Sequence, residues 1–431
     1  MALADFLITL LTFVAVYGLF GIGLNLKYGF TGLVDFGHVV YFMIGAYVTV
    51  VLTMPASVRG YAGVGGFDLP GLLGAVVPGG ALLGWLLGIA GGMVAAALVS
   101  LLVGVPTLRL REDYLAITAL GVATILTAVF ENEEWLFNGP FGVRSVYEPL
   151  GGVFPLSLGS FTLNMVAFGG LSVLFFLAAA VLLVRYVRDA GGRTRALVGV
   201  VTGGFVLWYF VRPLVAGGGA VELQRNLMWL FDPTAGPEGG LDYDRFFLLF
   251  ATALLAAGYR WVERTVNSPY GRVLRAVRDD EDVPKALGKA TYRYKIQAMM
   301  VGSGLGGAAG ALYAIQLGFI SPEQFASTLT FFAFPAVIVG GTANNAGVLL
   351  GTAVFWVINS GTRFLNGFVP SEFSVQLAAA RLMLIGALLI VILYYRPEGL
   401  LGEQAYDVDV DDGEAPPDGA LGGVIGGGDG D

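Results

Sequence analysis

The sequence predicts an all-α protein, a polytopic bundle of about ten or eleven helices that cross a lipid bilayer. Three observations predict it. Of 431 residues, 56% are apolar and only 13% are charged, about half the charged fraction of a soluble domain. Runs of roughly 20 apolar residues, the length that spans a hydrocarbon core, recur along the chain. The 65 glycines fall mostly inside those runs, where small residues let helices approach closely in lipid.

The first run, 6–26, carries no charge. It lacks the basic region and the small-residue cleavage site of a signal peptide, so it reads as a span. Further spans are expected at 32–54, 80–104, 114–134, 162–184, 196–215, 246–263 and 296–319. The uncharged stretch 325–362 is interrupted by the Gly- and Asn-rich segment 340–347 and reads as two short helices around a break. A last span covers 373–395 and contains Arg381. The chain divides into an N-terminal half (1–184), an inserted segment with an extra span (185–245), a C-terminal half (246–400) and a tail (401–431).

Charge sets the orientation. Nine acidic groups lie in 402–431, and removing them from a net charge of −8 leaves +1. That Gly-, Pro- and Asp-rich tail reads as disordered and solvating, and life in high salt is one explanation for it. With the N-terminus outside, seventeen basic residues, Lys27, Arg109, Arg111, Arg260 and Arg396 among them, fall on the inner side. Six fall outside: Arg59, Arg144, Arg212, Arg225, Arg245 and Arg363. Positive residues mark the cytoplasmic side, so the loop 264–295, which holds a third of them, is cytoplasmic, and the chain belongs in the cell membrane.

Composition also excludes chemistry. The chain has no cysteine and a single histidine, so thiolate and multi-histidine metal sites are absent. It has no phosphate-binding G-x-x-x-x-G-K-[S/T] loop. We expect no catalysis, metal or cofactor in this chain; work must be driven by an ion gradient or by a partner. Apart from Asp35 and Arg381, ionisable groups along the spans are lacking, which argues against an ion-coupled transporter.

Within 264–295, Arg272, Arg275 and Arg278 recur every three residues behind Gly271, while Val273, Leu274 and Val277 form the opposite, apolar side of a helix. The acids from Asp279 to Asp282 suit the start of a second short helix, where the dipole favours them. Pro284 is tolerated in its first turn and Gly288 is a natural stop. One reading is a solvated anchor that fixes topology. The other is a rigid knob of two amphipathic helices that docks a soluble partner; the glycine and proline punctuation favours it.

At these residues the chain resembles the membrane subunits of ABC importers for branched-chain amino acids, specifically the longer of the two permease types. Ser268-Pro269-Tyr270-Gly271-Arg272, the run from Arg275 to Glu281, Ala286-Leu287-Gly288 and Arg293-Tyr294-Lys295 match the family's loop signature. The runs from Ala308 to Ala314 and from Gly318 to Pro322 continue it. Leu24-Asn25-Leu26, Tyr28-Gly29, Gly37-His38, Ile44-Gly45-Ala46-Tyr47 and Leu108-Arg109-Leu110-Arg111 match the N-terminal part. The resemblance implies an importer permease fold. It also implies a homologous second permease, two cytoplasmic subunits that bind the ATP, an extracellular substrate-binding protein and no nucleic-acid partner. Under it Ser268, Pro269, Gly271, Arg272, Arg275, Arg278, Asp279, Ala286 and Gly288 form the ATPase-coupling loop. Urea or short amides are the nearest alternative substrates. Val283-Pro284-Lys285 departs from the family's small residues, so the second loop helix is expected to be short or bent. Asp35-Phe36 departs from the usual Ser-Leu.

Three further groups stand out. Asp35 and His38 are three apart and would share a helix face, either as a hydrogen-bonded pair lining the pathway or with His38 packed near a span end and Asp35 at the interface. Gly302, Gly306 and Gly310 form a G-x-x-x-G row suited to close helix packing. Gly340, Gly341 and Asn344, in the break, line a pathway or make a hairpin turn.

Overall fold

The computed structural model describes residues 3–55, 63–110, 112–144, 146–153, scattered positions between 156 and 204, 241–365 and 374–403. The expected span at 196–215, much of that at 162–184, nearly all of the insertion 185–245 and the tail beyond Glu403 lie outside the described residues.

The first apolar run forms one long helix, α1 (Leu3–Thr31), about 44 Å from end to end. Helices α2 (His38–Thr53), α3 (Leu69–Val76), α4 (Gly80–Thr107), α5 (Glu112–Asn132) and α6 (Glu134–Phe137) follow. The C-terminal half supplies α7 (Tyr243–Val266), the loop helices α8 (Pro269–Asp279) and α9 (Asp282–Ala286), and α10 (Thr291–Leu317). It closes with α11 (Thr328–Gly340), α12 (Asn345–Leu365) and α13 (Ser374–Tyr395). Six helices among the described residues are long and apolar enough to cross a membrane, and three shorter apolar helices accompany them. The 325–362 stretch is thus one short helix and one of 21 residues, not two short ones. A two-residue antiparallel pair, β1 (Val143–Arg144) with β2 (Phe319–Ile320), sets Val143 opposite Ile320.

Helices α1 and α10 are the most enclosed spans, and α10 packs on α1, α2 and α4. Glycines make this closeness possible. A Cβ at Gly45 would strike the Gly307 backbone, one at Gly310 the Phe42 carbonyl, and one at Gly23 the Gly302 carbonyl. With no hydrophobic force between helices inside lipid, such close packing is what holds them together.

Contacts fix which ends lie together. At one end Gly29 meets α8 through Arg278, Tyr292 bonds the Val105 carbonyl, and Asn25 and Glu263 both bond Asn345. This end carries the basic loop and the segment after α13. At the opposite end Arg245 of α7 pairs with Asp5 of α1 and with Asp242.

Candidate translocation cavity and coupling loop

Four helices turn one face each into a cavity of about 310 Å³. Helix α1 supplies Phe13, Tyr17, Phe20 and Gly21; α10 supplies Tyr313 and Leu317. Helix α11 gives Leu329, Phe332, Ala333 and Ala336, and α12 gives Thr352, Phe355, Trp356, Asn359 and Ser360. Within each set the residues recur at three and four, then seven and eight, with neighbours such as Phe20-Gly21 and Phe332-Ala333 side by side, the period of a single helix face. Trp356 stacks on Tyr17 at 4.4 Å and on Phe13 at 5.2 Å between ring centres. The wall is aromatic, edged by neutral hydroxyls and amides including Gln324, and among the described residues no charged side chain lines it. Such a chamber can hold an apolar side chain on its rings and hydrogen-bond a polar head at its α12 edge.

Behind Phe20 lies a buried charge cluster that composition alone did not reveal. Lys27, assigned from sequence to the inner surface, is fully buried. Its ammonium bonds Asp35 Oδ2 at 2.7 Å and His38 Nδ1 at 3.0 Å, and stands 4.4 Å from the centre of the Tyr41 ring. His38 Nε2 lies 3.2 Å from the Phe20 carbonyl. A carbonyl only accepts, so Nε2 carries the proton and Nδ1 is left to accept from Lys27. All three ammonium hydrogens therefore have a target, and Asp35 Oδ1 accepts from the Gly37 amide at 3.0 Å. A buried charge survives only when paired in this way.

Asp35 and His38 do not share a helix face, as their spacing suggested. Helix α2 begins at His38, and 32–37 is non-helical backbone folded back along the last turns of α1. Non-helical backbone at such depth is tolerated where protein encloses it. It is enclosed here: Phe36 stacks on Phe331 at 5.0 Å, and the Val39 amide donates to Thr330 Oγ1 of α11.

Gly302 lies against the Lys27 stem and Gly306 against the His38 ring, so the glycine row of α10 is the floor on which this cluster rests. Asp35, His38, Gly340, Gly341 and Asn344 do not line the aromatic cavity; the His38 ring is one layer behind it, 4.5 Å from that of Phe20. The 340–347 break is the turn of the α11–α12 hairpin. Its Ala343 amide donates to Asn25 Oδ1, and Asn344 Oδ1 accepts from the Gly347 amide.

The loop folds as two helices. Ser268 caps α8 by accepting from the Tyr270 amide, with Pro269 in the first turn. Gly271 lets α8 seat on the end of α7, where a Cβ would strike the Val266 carbonyl. Leu274 and Val277 are buried. The three arginines differ in role. Arg272 is exposed, Arg275 lies over the Phe30 ring at 5.4 Å, and Arg278 reaches inward to the Gly29 carbonyl at 2.8 Å. Asp279 ends α8 and holds Arg278 at 2.9 Å, rather than opening the second helix. Helix α9 spans only five residues around Pro284 and is followed by Gly288 at φ +75°. Ala286 is exposed on it. Glu281 anchors α9 to α10 through Lys295 and Thr291. Its partial burial disfavours the charge, but the bonds from Lys295 and Thr291 outweigh that and hold the carboxyl below its ordinary pKa.

Besides the Lys27 cluster, two further features escaped the sequence reading. Val283 and Leu287, four apart on the knob, are 54% and 74% exposed and form an apolar tip amid charge. Beyond α13, residues 396–403 run back across the hairpin: the Leu400 and Leu401 amides donate to the Val339 and Gly340 carbonyls, and Asn344 donates to the Gly402 carbonyl.

Spanning helices, a neutral aromatic cavity between them and a basic two-helix loop at one end define a multi-pass membrane permease. A family model described as "Branched-chain amino acid transport system / permease component" matches residues 6–393. The high-affinity branched-chain amino acid transport system permease protein LivM of Escherichia coli K12 is 26% identical over 392 residues, covering 90% of this chain and 68% of that one. The probable branched-chain amino acid transport permease protein LivM of Methanocaldococcus jannaschii is 25% identical, over 93% of this chain and 94% of its own. An autoinducer 2 import system permease protein, LsrC of Photorhabdus laumondii, is 29% identical over 39% of this chain and 54% of its own. No solved structure matches. The chain belongs to the branched-chain amino acid transport permease family.

Proposed function

We propose that this chain is one permease half of an ATP-driven importer for amino acids with branched aliphatic side chains. In this reading the loop end is cytoplasmic, the exposed tip of α8–α9 docks an ATPase subunit, and the aromatic cavity is where the substrate side chain lodges. A second permease completes the pathway and an extracellular binding protein delivers the substrate. The observation that carries the reading is that one rigid helix joins motor contact to cavity. Helix α1 accepts Arg278 at Gly29 and lines the cavity at Phe20 and Tyr17, about 14 to 18 Å further along. A displacement of α8 is thereby a displacement of the cavity wall. Stacked rings suit an apolar side chain; urea, small and polar, would leave them uncovered.

Positive residues on the loop support the cytoplasmic assignment. The tip supports docking, since an exposed apolar pair flanked along the chain by Lys285 and Lys289 has the anatomy of an interface anchor. The double substitution Val283→Asp, Leu287→Asp places charge in that contact. Leucine uptake by cells carrying the complete transporter is expected to fall about 30-fold or more, as for loss of an interface hot spot. ATPase subunits should no longer co-purify, while the chain still inserts and pairs with the second permease. Uptake at the wild-type rate would overturn the reading.

A further inference from the structure

Arg278 is forked. One terminal nitrogen bonds the Gly29 carbonyl of α1 at 2.8 Å, and the other bonds Glu403 Oε1 at 2.9 Å. Glu403 ends the strap 396–403, whose backbone satisfies the last carbonyls of α11 at Val339 and Gly340 at 2.8 and 3.2 Å. Asn344, in the hairpin turn, holds the strap again at the Gly402 carbonyl. Those α11 carbonyls have no partner within their own helix, so the strap is part of how α11 ends. Helices α11 and α1 each form a wall of the cavity. One guanidinium on the docking helix is thus tied to both walls, directly to α1 and through the strap to α11.

We propose that Glu403 is a positioning residue for transport. The Arg278–Glu403 pair and the strap behind it carry motion of the docking helix to α11, so that α1 and α11 move together when the motor acts. An interaction that merely stiffened the fold would not need to meet the docking helix; this one joins three elements far apart in sequence at a single side chain. Glu403 is half-exposed, and its printed partner is Arg278 of α8 rather than a residue of α9, so replacing it is expected to leave both the fold and the docking tip in place.

The inference rests on the proposed ATP-driven importer. Its test uses the complete transporter in proteoliposomes and measures leucine accumulated per ATP hydrolysed. Glu403→Gln is expected to lower that ratio at least about fivefold, the scale of a coupling interaction, with ATPase subunits retained and basal ATP hydrolysis unchanged. Glu403→Asp, which keeps the charge, should restore part of the ratio. An unaltered ratio in Glu403→Gln would overturn the role of the strap. Equal loss of ATP hydrolysis and of uptake would also overturn it, since that marks a general structural defect. If Val283→Asp, Leu287→Asp also leaves uptake intact, the importer reading itself fails; if only Glu403→Gln is silent, that reading stands and the strap alone is refuted.

Discussion

Lys27→Met is expected to destabilise the folded bundle by about 3–5 kcal/mol, the cost of breaking a buried ion pair by removing one partner. The substitution leaves the Asp35 carboxyl enclosed and without its ammonium, beside a His38 ring whose Nδ1 loses its donor. Methionine fits the space of the lysine stem, so packing against Gly302 survives and the loss is electrostatic. The double variant Lys27→Met, Asp35→Leu should recover most of the stability, because replacing a whole buried pair by apolar groups is often neutral or better. Thermal midpoints of the purified chain in detergent measure both. A single variant as stable as wild type, or a double variant no better than the single, would show that the pair does not hold the 32–37 segment.

The second large effect is expected where helix backbones touch. Gly310→Leu forces a side chain into the Phe42 carbonyl of α2, and neither backbone can yield without separating α2 from α10. Over-packing of a well-filled site costs about 1–3 kcal/mol and occasionally more, and a leucine driven against backbone belongs at or beyond the upper end. Gly310→Ala should already cost part of this. Gly121 on α5 is the internal control: a Cβ there meets nothing within 4 Å, so Gly121→Ala is expected to stabilise its helix by roughly 0.5–1 kcal/mol. The yield of folded, monodisperse protein across the three variants should rank Gly121→Ala, Gly310→Ala, Gly310→Leu. Any other order would contradict the close-packed α2–α10 contact.

Much of this architecture could be read from residues alone, for identifiable reasons. Long uncharged runs mark spans because unpaired charge is costly in lipid, and α1, α4, α5, α7 and α10 answer to such runs. The two loop helices were legible from the arginine period behind Gly271, from Pro284 and from Gly288, since helix periodicity and breakers act locally. Lys27 was not. A lone lysine near a span end satisfies the positive-inside pattern equally well, and only the fold-back of 32–37 brings Asp35 to it. The same fold-back defeats the helical spacing argument for Asp35 and His38. The cavity faces were present as periodic sets, Phe13-Tyr17-Phe20 on α1 and Thr352-Trp356-Asn359 on α12, but in a chain so rich in apolar residues this period is common to every packed helix. The strap left no signature, since most of its bonds are made by backbone groups and join residues some sixty positions apart.

The central claim is that the aromatic cavity takes up substrate and responds to a motor docked on the basic loop. Cysteine is absent from the chain, so Ser360→Cys, on the cavity's polar edge, gives it one reactive thiol. The most direct measurement is the rate at which a water-soluble maleimide labels that thiol in the complete transporter. Leucine should slow labelling, ATP should change the rate, and Val283→Asp, Leu287→Asp should abolish the response to ATP while leaving protection by leucine intact. A labelling rate indifferent to both leucine and ATP would contradict the account.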